Sequence, residues 1–225
     1  MESFQKSTWR VAIKEPNNKG PNLFGMNIDN SFGLSDENVM FLKKKGDYRG
    51  SGKENIKKLI LNFGTTDITT LDLRKRELYP GARIIGRNST WTTLEYLNLT
   101  HNMLSEDCAL MIGTNSTWKN LKTSNLSVNF IGDKGAEVIV GNEAWACLEE
   151  LDLSNNEIKD AGAAAIRGNM RWKNLKILSI DNNKIGESGA SKIVMNSTWV
   201  NLEELYLFRN GISKEFAQKL QPNQA

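Results

Sequence analysis

The amino-acid sequence predicts an α/β fold, a right-handed solenoid with parallel strands on its concave face and helices on its outside. Three observations predict it. Five tryptophans follow one another at intervals of 27 residues, an asparagine stands three residues before each, and a leucine stands three residues after each. Repetition at a fixed period of this length is typical of stacked repeats. The tryptophans are Trp91, Trp118, Trp145, Trp172 and Trp199.

Each repeat opens with a short predicted strand. In the spacing Leu94-x-x-Leu97-x-Leu99, the two last leucines alternate with polar residues, so they face the core while their neighbours face outward. The same spacing begins at Ile68 and recurs through the chain. Ser124 stands where other repeats carry a core leucine, so Ser124→Leu should raise the melting temperature. The predicted strands cover 71–73, 97–99, 124–126, 151–153, 178–180 and 205–207.

An asparagine follows each strand at the point where the chain turns. A buried amide there can pair with backbone groups of the neighbouring repeats, which would otherwise lack partners. The sequence therefore predicts an asparagine ladder that begins at Asn102, because Arg76 occupies the corresponding position one repeat earlier. Its members are Asn102, Asn129, Asn156, Asn183 and Asn210.

The second half of each repeat predicts a helix. Gly135-Ala136, Gly162-Ala163 and Gly189-Ala190 recur at equivalent positions, and such small residues let a helix lie close against the sheet. Asn115 and its equivalents should end the helices in the left-handed conformation that asparagine tolerates. The tryptophan that follows should fill the gap between helix end and strand start, and we prefer this interpretation to a ladder of ligand-stacking rings.

These motifs resemble the ribonuclease-inhibitor-like subfamily of leucine-rich-repeat proteins. The resemblance covers residues 68–220 and rests on L-x-x-L-x-L-x-x-N-x-I followed by G-x-x-G-A, clearest in Ile131–Ala136 and Ile185–Ala190. It implies a horseshoe that binds proteins on its concave sheet. The chain differs from the inhibitor in its few cysteines, its shorter length and its uniform 27-residue period, so the resemblance does not imply binding to a ribonuclease.

The chain divides into three predicted parts. Residues 1–22 are an N-terminal cap segment, expected to cover the apolar edge of the first repeat. Residues 23–67 are a degenerate first repeat with an inserted loop, whose role at 43–53 stays open. Residues 68–225 form the leucine-rich-repeat domain of six repeats of 26–27 residues, the last one short. At its end, one helical face covers the final strand and carries Phe216, Ala217 and Leu220.

Composition bounds the compartment and the kind of partner. The net charge of +3 comes from residues 1–67, which hold 11 Lys and Arg against 8 Asp and Glu. This is not the basic stripe of a nucleic-acid-binding protein. No apolar run approaches the ~20 residues of a membrane helix, and the polar start shows no secretory signal. Cys108 and Cys147 lack a CxxC spacing, which fits a reducing compartment. We expect a cytoplasmic protein with no nucleic-acid, membrane or small-molecule partner.

Five N-x-S/T sequons occur in the repeats. Three of them arise because the asparagine before each tryptophan is often followed by Ser-Thr. Without a secretory signal, we expect these sites to stay unmodified. The sequon asparagines are Asn88, Asn98, Asn115, Asn125 and Asn196.

No motif predicts catalysis, so we expect no catalytic, cofactor-binding or metal-binding residues and a protein that is not an enzyme. The single histidine, His101, has no second histidine or cysteine cluster with which to hold a metal. Glu150 and Asp152 could act as an acid and a base, but carboxylates beside solvent on a strand are more often contacts for a partner. The alternative function is regulation of an enzyme such as a small GTPase, as in GTPase-activating proteins that share this repeat type.

The outward strand positions predict the partner surface. Large exposed aromatic residues are typical anchors of interfaces. Tyr206 and Phe208 should form an apolar centre with Ile177, although Phe208 packed beneath the C-terminal tail is the competing interpretation. Acidic residues surround this centre, so we expect a protein partner that is basic at the contact. The predicted contacts are Tyr96, Glu150, Asp152, Ile177, Asp181, Glu204, Tyr206 and Phe208.

Overall fold

The structure is a computed structural model that describes residues 10–12, 68–75, 77–79 and 81–220. From the second strand onward, strands and helices alternate, as the sequence predicts. The elements are β1 (Arg10–Ala12), β2 (Thr70–Asp72), α1 (Ala82–Gly86), β3 (Tyr96–Asn98), α2 (Glu106–Gly113), β4 (Thr123–Asn125), α3 (Gly132–Val140), β5 (Glu150–Asp152), α4 (Asp160–Gly168), β6 (Ile177–Ser179), α5 (Glu187–Val194), β7 (Glu204–Tyr206) and α6 (Lys214–Leu220).

The strands form one parallel sheet in the order β1-β7-β6-β5-β4-β3-β2. Its register joins equivalent positions of neighbouring repeats, so that Leu97 pairs with Ser124 and Ser124 pairs with Leu151. The predicted α/β solenoid with parallel strands is therefore confirmed. Each strand begins and ends one residue earlier than predicted, because the chain turns soon afterward and reaches a φ of 59° at His101.

The N-terminal strand is placed at the opposite end of the sheet from the one we expected. β1 pairs with β7, in a register that joins Arg10 to Glu204 and Ala12 to Tyr206. Residues 10–12 therefore lie beside the last repeat and not beside the first. The last strand of an open sheet presents unpaired N–H and C=O groups, and β1 pairs with these groups. The rest of the predicted cap and the degenerate repeat at 23–67 lie outside the described residues.

The core lies between the sheet and the helices. Trp91, Trp118, Trp145, Trp172 and Trp199 each have an exposed fraction of 0%. The rings of Trp118 and Trp145 stack at a centroid distance of 6.4 Å. This confirms the interpretation of the tryptophans as a packed spine. At the C-terminal end, Ala217 and Leu220 of α6 belong to the core and Phe216 packs against it, so the three residues share one face as predicted.

The predicted asparagine ladder forms where the strands end. Asn129 donates from Nδ2 to the carbonyl oxygens of Leu99 (3.1 Å) and Leu126 (2.8 Å). Its Oδ1 accepts the backbone N–H groups of Asn102 and Leu104, both at 3.0 Å. One side chain thus satisfies polar groups in two repeats, which stabilises their stacking. The ladder begins at Asn102, which donates to the carbonyl of Leu73 at 2.8 Å; Arg76 lies outside the described residues.

A second asparagine ladder lies at the other end of the helices. Asn115 donates from Nδ2 to the carbonyl oxygens of Gly86 (2.9 Å) and Asn88 (2.8 Å) in the preceding repeat. Its Oδ1 accepts the N–H of Thr117 at 2.9 Å. None of the asparagines at this position has a positive φ, so the expected left-handed helix end is wrong. The asparagine is needed there for bonds between repeats and not for its own backbone conformation.

The helices are packed against one another through their glycines. A Cβ on Gly162 would lie 2.6 Å from Cγ2 of Ile158 and 2.7 Å from Oδ1 of Asp133, a residue of the preceding helix. That carboxylate accepts the N–H groups of Lys159 (2.7 Å) and Gly162 (2.9 Å) at the start of α4, which has no side-chain cap of its own. The small size of Gly162 therefore lets the preceding helix approach closely, and Asp133 of that helix caps the start of α4.

Candidate protein-binding surface

Three rows of side chains lie on the sheet face opposite the leucine core. The register places equivalent residues of successive repeats side by side. The first row is Thr70, Tyr96, Thr123, Glu150, Ile177 and Glu204; the second is Asp72, Asn98, Asn125, Asp152, Ser179 and Tyr206; the third is Arg74, Thr100, Ser127, Ser154, Asp181 and Phe208.

The first row is accessible along its described length. All its side chains are half-buried, including the four predicted contacts Tyr96, Glu150, Ile177 and Glu204. Burial, helped by the charge of Glu149, raises the pKa of Glu150, while Lys176 acts in the opposite direction. Burial also raises the pKa of Tyr96. The row therefore offers partly dehydrated groups that a partner can pair with at little further cost of desolvation.

The second row is largely buried, which contradicts the accessible position expected for Asp152. Its exposed fraction is 7%. Oδ1 of Asp152 accepts the N–H of Ser154 at 2.9 Å, and Asn125 makes the same bond to Ser127 at 2.9 Å. A short polar side chain at this position thus pairs with the backbone two residues later. Asp152 supports the turn after its strand and is not a free contact.

Burial raises the pKa of Asp152, although bonds from Ser154, Ser127 and Asn125 lower it in part. The consequence for stability follows from linkage. As the pH rises, the Asp152 carboxyl loses its proton in the unfolded chain first, at the ordinary pKa of an aspartate, and in the folded chain only at the raised pKa. The free energy of unfolding therefore falls as the pH rises from the ordinary pKa to the raised pKa. The buried carboxylate weakens the fold at neutral pH relative to acidic pH.

The aromatic pair at the C-terminal end is also buried. Tyr206 and Phe208 lie outside the leucine core, as strand alternation predicts, yet their exposed fractions are only 8% and 7%. The rings meet edge to face at 6.3 Å, and the hydroxyl of Tyr206 donates to the carboxylate of Glu204. The prediction of exposed aromatic anchors is therefore wrong. Alternation fixed the direction of these side chains, but β1 lies directly beside Tyr206 in the sheet.

Asp181, in the third row, is half-buried. The structure thus brings five of the eight predicted contacts to the accessible face and buries the other three. The accessible residues are Tyr96, Glu150, Ile177, Asp181 and Glu204.

A row of alternating charges precedes the first row and was not predicted. Nζ of Lys122 lies 2.9 Å from Oε2 of Glu95, and Nζ of Lys176 lies 2.5 Å from Oε2 of Glu149. Each pair joins neighbouring repeats. The signal is present in the sequence, since the charge of the residue before the strand alternates in sign from β3 to β7. Because solvent screens exposed ion pairs of this kind, they contribute little to the stability of the fold. They form a charged border along the first row.

An exposed apolar patch, also missed, lies at the edge where the strands end. We call Met103, Val128 and Phe130 the edge patch; their exposed fractions are 58%, 40% and 56%. The N–H of Phe130 donates to the carbonyl of Leu104 at 2.8 Å, which places Phe130 beside Met103 of the preceding repeat. At the position of Phe130, the next repeat carries Glu157. Aligning the repeats would have revealed this departure.

Val128 of the edge patch is strained. Its φ is 56°, in the left-handed region. A β-branched residue is a rare occupant there, and the cost is of order 1–3 kcal/mol. Asn155 and Asn182 stand at the same position of the next two repeats and adopt the same conformation, which asparagine tolerates better. The chain therefore keeps an exposed valine where a polar residue fits the backbone better.

The described residues hold no group of three His, Cys, Asp or Glu side chains that could bind a metal ion. His101 is exposed on its turn. Both cysteines are free, Cys108 buried and Cys147 exposed. Within the part of the chain that the structure describes, no helix has the length and apolarity to cross a bilayer.

Comparison with known proteins bears on the repeats themselves. The family model described as leucine-rich repeat matches residues 146–166 and 173–194, which hold β5 and β6 with most of α4 and all of α5. These two segments are similar to leucine-rich repeats, and the other described repeats share their register in the sheet. The described strands and helices are consistent with an α/β leucine-rich-repeat solenoid. A search of curated proteins finds no match to the chain.

Proposed function

We propose that this leucine-rich-repeat chain is a non-catalytic scaffold of the ribonuclease-inhibitor-like type, free or as a subunit of a larger assembly. It presents the concave sheet to a protein partner. Leucine-rich repeats generally mediate protein–protein interaction, which supports the proposal. The observation that carries it is the first row, where the residue type changes from repeat to repeat. The inward positions two residues before it and one residue after it hold leucine from Leu94 to Leu205, with Ser124 as the single exception. Variation at accessible positions between fixed structural positions is what a recognition surface requires.

The chemistry of the row indicates the kind of partner. The register places Ile177 between Glu150 and Glu204. Asp181, in the third row, follows Ile177 by four residues. An apolar centre with an acidic rim suits a partner that offers an apolar side chain flanked by Lys or Arg. The two free cysteines support a reducing, cytoplasmic setting for this contact.

The experiment begins by isolating the partner with the full chain as bait and titrating it against variants. Ile177→Ala should weaken binding by about 1 kcal/mol or more, roughly fivefold, if the residue is an anchor. Glu150→Gln should weaken it less and should reduce its dependence on salt, because a screened charge pair is removed. Met170→Ala is the matched control, since Met170 is 67% exposed and belongs to none of the three rows.

Unchanged affinity in both first-row variants, with the fold intact by circular dichroism, would remove the concave face as the binding surface. In that case Phe130→Ala of the edge patch is the next variant to titrate. Regulation of a small GTPase is the alternative function. It predicts that the chain accelerates GTP hydrolysis by a bound GTPase, which a phosphate-release assay measures directly.

A further inference from the structure

We propose that folding and N-glycosylation of this chain exclude each other, because its five sequons are parts of the repeat architecture. Each sequon asparagine is buried and hydrogen-bonded in the folded chain. The exposed fractions are 7% for Asn88, 2% for Asn98, 6% for Asn115, 5% for Asn125 and 5% for Asn196. A glycan of several sugars has no room at any of them.

At Asn98, Asn115 and Asn196, the asparagine nitrogen that would carry the sugar is already engaged. Nδ2 of Asn98 donates to the hydroxyl of Tyr96 at 3.2 Å. Nδ2 of Asn115 donates to the carbonyls of Gly86 and Asn88 at 2.9 and 2.8 Å. Nδ2 of Asn196 donates to the carbonyls of Arg167 and Asn169 at 2.7 and 3.2 Å. At Asn115 and Asn196, both hydrogens of the amide are thus used between repeats.

The hydroxyl that completes the sequon has a structural task of its own. Oγ1 of Thr117 donates to Oδ1 of Asn115 (2.8 Å) or to the carbonyl of Asn88 (3.3 Å). Thr198 repeats this with Asn196 at 2.7 Å. In the other set, Oγ of Ser127 donates to Oδ1 of Asn125 at 2.7 Å. The pair of an asparagine and a hydroxyl two residues later is therefore a packing unit that happens to match the glycosylation signal.

Two repeats keep the asparagine without the hydroxyl. Asn142 and Asn169 occupy the same ladder position but are followed two residues later by Ala144 and Arg171. Asn142 still donates to the carbonyl of Asn115 at 2.9 Å and still accepts the N–H of Ala144 at 2.8 Å. These repeats provide the pattern for variants that lose the sequon and keep the ladder.

Transfer of a glycan would break this arrangement in a defined way. Nδ2 loses one hydrogen as a proton and bonds to C1 of the first sugar, while the lipid pyrophosphate departs as the leaving group. One N–H remains, so at Asn115 and at Asn196 one of the two buried carbonyls loses its donor. The bulk of the sugar would also separate neighbouring repeats. A chain modified before it folds therefore cannot assemble the solenoid, and a folded chain offers no substrate.

The test translates the full chain behind a signal peptide in the presence of microsomes, with an accessible Asn-Gly-Thr extension at the C-terminus. In a parallel reaction, the competitor arm, an acceptor tripeptide competes for the transferase, so that the chain is translated without glycans. We expect molecules glycosylated at any of the five sites to be digested by protease. Molecules without such glycans, from the competitor arm or carrying a glycan only on the extension, should keep a resistant core.

A protease-resistant chain that carries a glycan on one of the five asparagines would overturn the proposal. So would a chain that stays protease-sensitive in the competitor arm, because the glycan would then not be the cause. The Thr90→Ala, Thr117→Ala and Thr198→Ala triple variant leaves two of the five sequons. It should increase the resistant fraction without competitor, whereas the matched conservative triple Thr→Ser variant, which keeps all sequons, should not.

Discussion

Ser124 offers the sharpest test of the core. It sits between Leu97 and Leu151 in the sheet, at the inward position that leucine occupies in most repeats. Its exposed fraction is 0%, and its hydroxyl has no hydrogen-bond partner within the described structure. An unpaired buried hydroxyl destabilises the native state by about 1–3 kcal/mol. Ser124→Ala removes this hydroxyl without adding volume.

The expected gain is therefore about 1–2 kcal/mol, which in a chain of this size raises the melting temperature by about 2–4 °C per kcal/mol. Ser124→Leu adds about three buried carbons, worth roughly 0.8 kcal/mol each, but overpacking can cost 1–3 kcal/mol. We expect it to raise the melting temperature as well. The difference between the two variants measures how much room the site contains.

Ser127→Ala is the matched control because Ser127 is also buried but its hydroxyl is bonded to Asn125 at 2.7 Å. It should lower stability by about 1 kcal/mol, opposite in sign to Ser124→Ala. Thermal and urea unfolding followed by circular dichroism measure both. If Ser124→Ala leaves stability unchanged or lowers it, the hydroxyl has a partner in solution and the reasoning about this position is refuted.

Three further predictions follow from the structure. Asn156→Ala should lower stability by about 2–4 kcal/mol, because the carbonyls of Leu126 and Ser154 lose their donor; urea unfolding measures this loss. Asp152→Asn should stabilise the fold at pH 7 more than at pH 4, since burial raises the pKa of Asp152 and the amide cannot ionise; equal effects at both pH values would contradict this. Val128→Asn should raise the melting temperature by relieving about 1–2 kcal/mol of strain, and a lower value would show that the valine packs favourably.

Most of the solenoid is predictable because each repeat contacts copies of itself. Each position packs against the equivalent position of the next repeat, so it has the same environment in every repeat. The same residue type therefore recurs at that position. This is why the buried tryptophans and the ladder beginning at Asn102 were predicted correctly. The limit is local: strand ends shifted by one residue, since the periodic pattern marks which residues are buried and not where the backbone turns.

The position of β1 was not predictable from the pattern. Residues 10–12 pair with residues 204–206, which are far away in sequence. A three-residue strand outside the repeats belongs to no periodic pattern, so the sequence does not indicate which strand it pairs with. Burial of Tyr206 and Phe208 was missed for a related reason. Alternation along a strand gives the direction of a side chain, while its exposure depends on what lies over it in the folded chain.

The asparagines before the tryptophans illustrate a competition between local and tertiary roles. Asparagine at a helix end favours the left-handed conformation, yet the chain avoids it at Asn115. Four hydrogen bonds of its side chain, two of them to the preceding repeat, outweigh the local preference. The repetition of this residue was the available signal, because a helix end alone does not require the same residue five times.

The same reasoning separates structural residues from candidate contacts. A position that serves stacking carries one residue type in repeat after repeat, as the ladder asparagines do. The first row changes from Tyr96 to Glu150 to Ile177 although its backbone environment stays the same. Val128 goes further, since it occupies a conformation that asparagine fills at lower cost in the next repeat. The stacking of repeats does not require the residue types of the first row to differ, and Val128 weakens the fold. We therefore infer that a contact with a partner explains both features. If Val128→Asn stabilises the fold and leaves partner affinity unchanged, that reason is excluded for the edge patch.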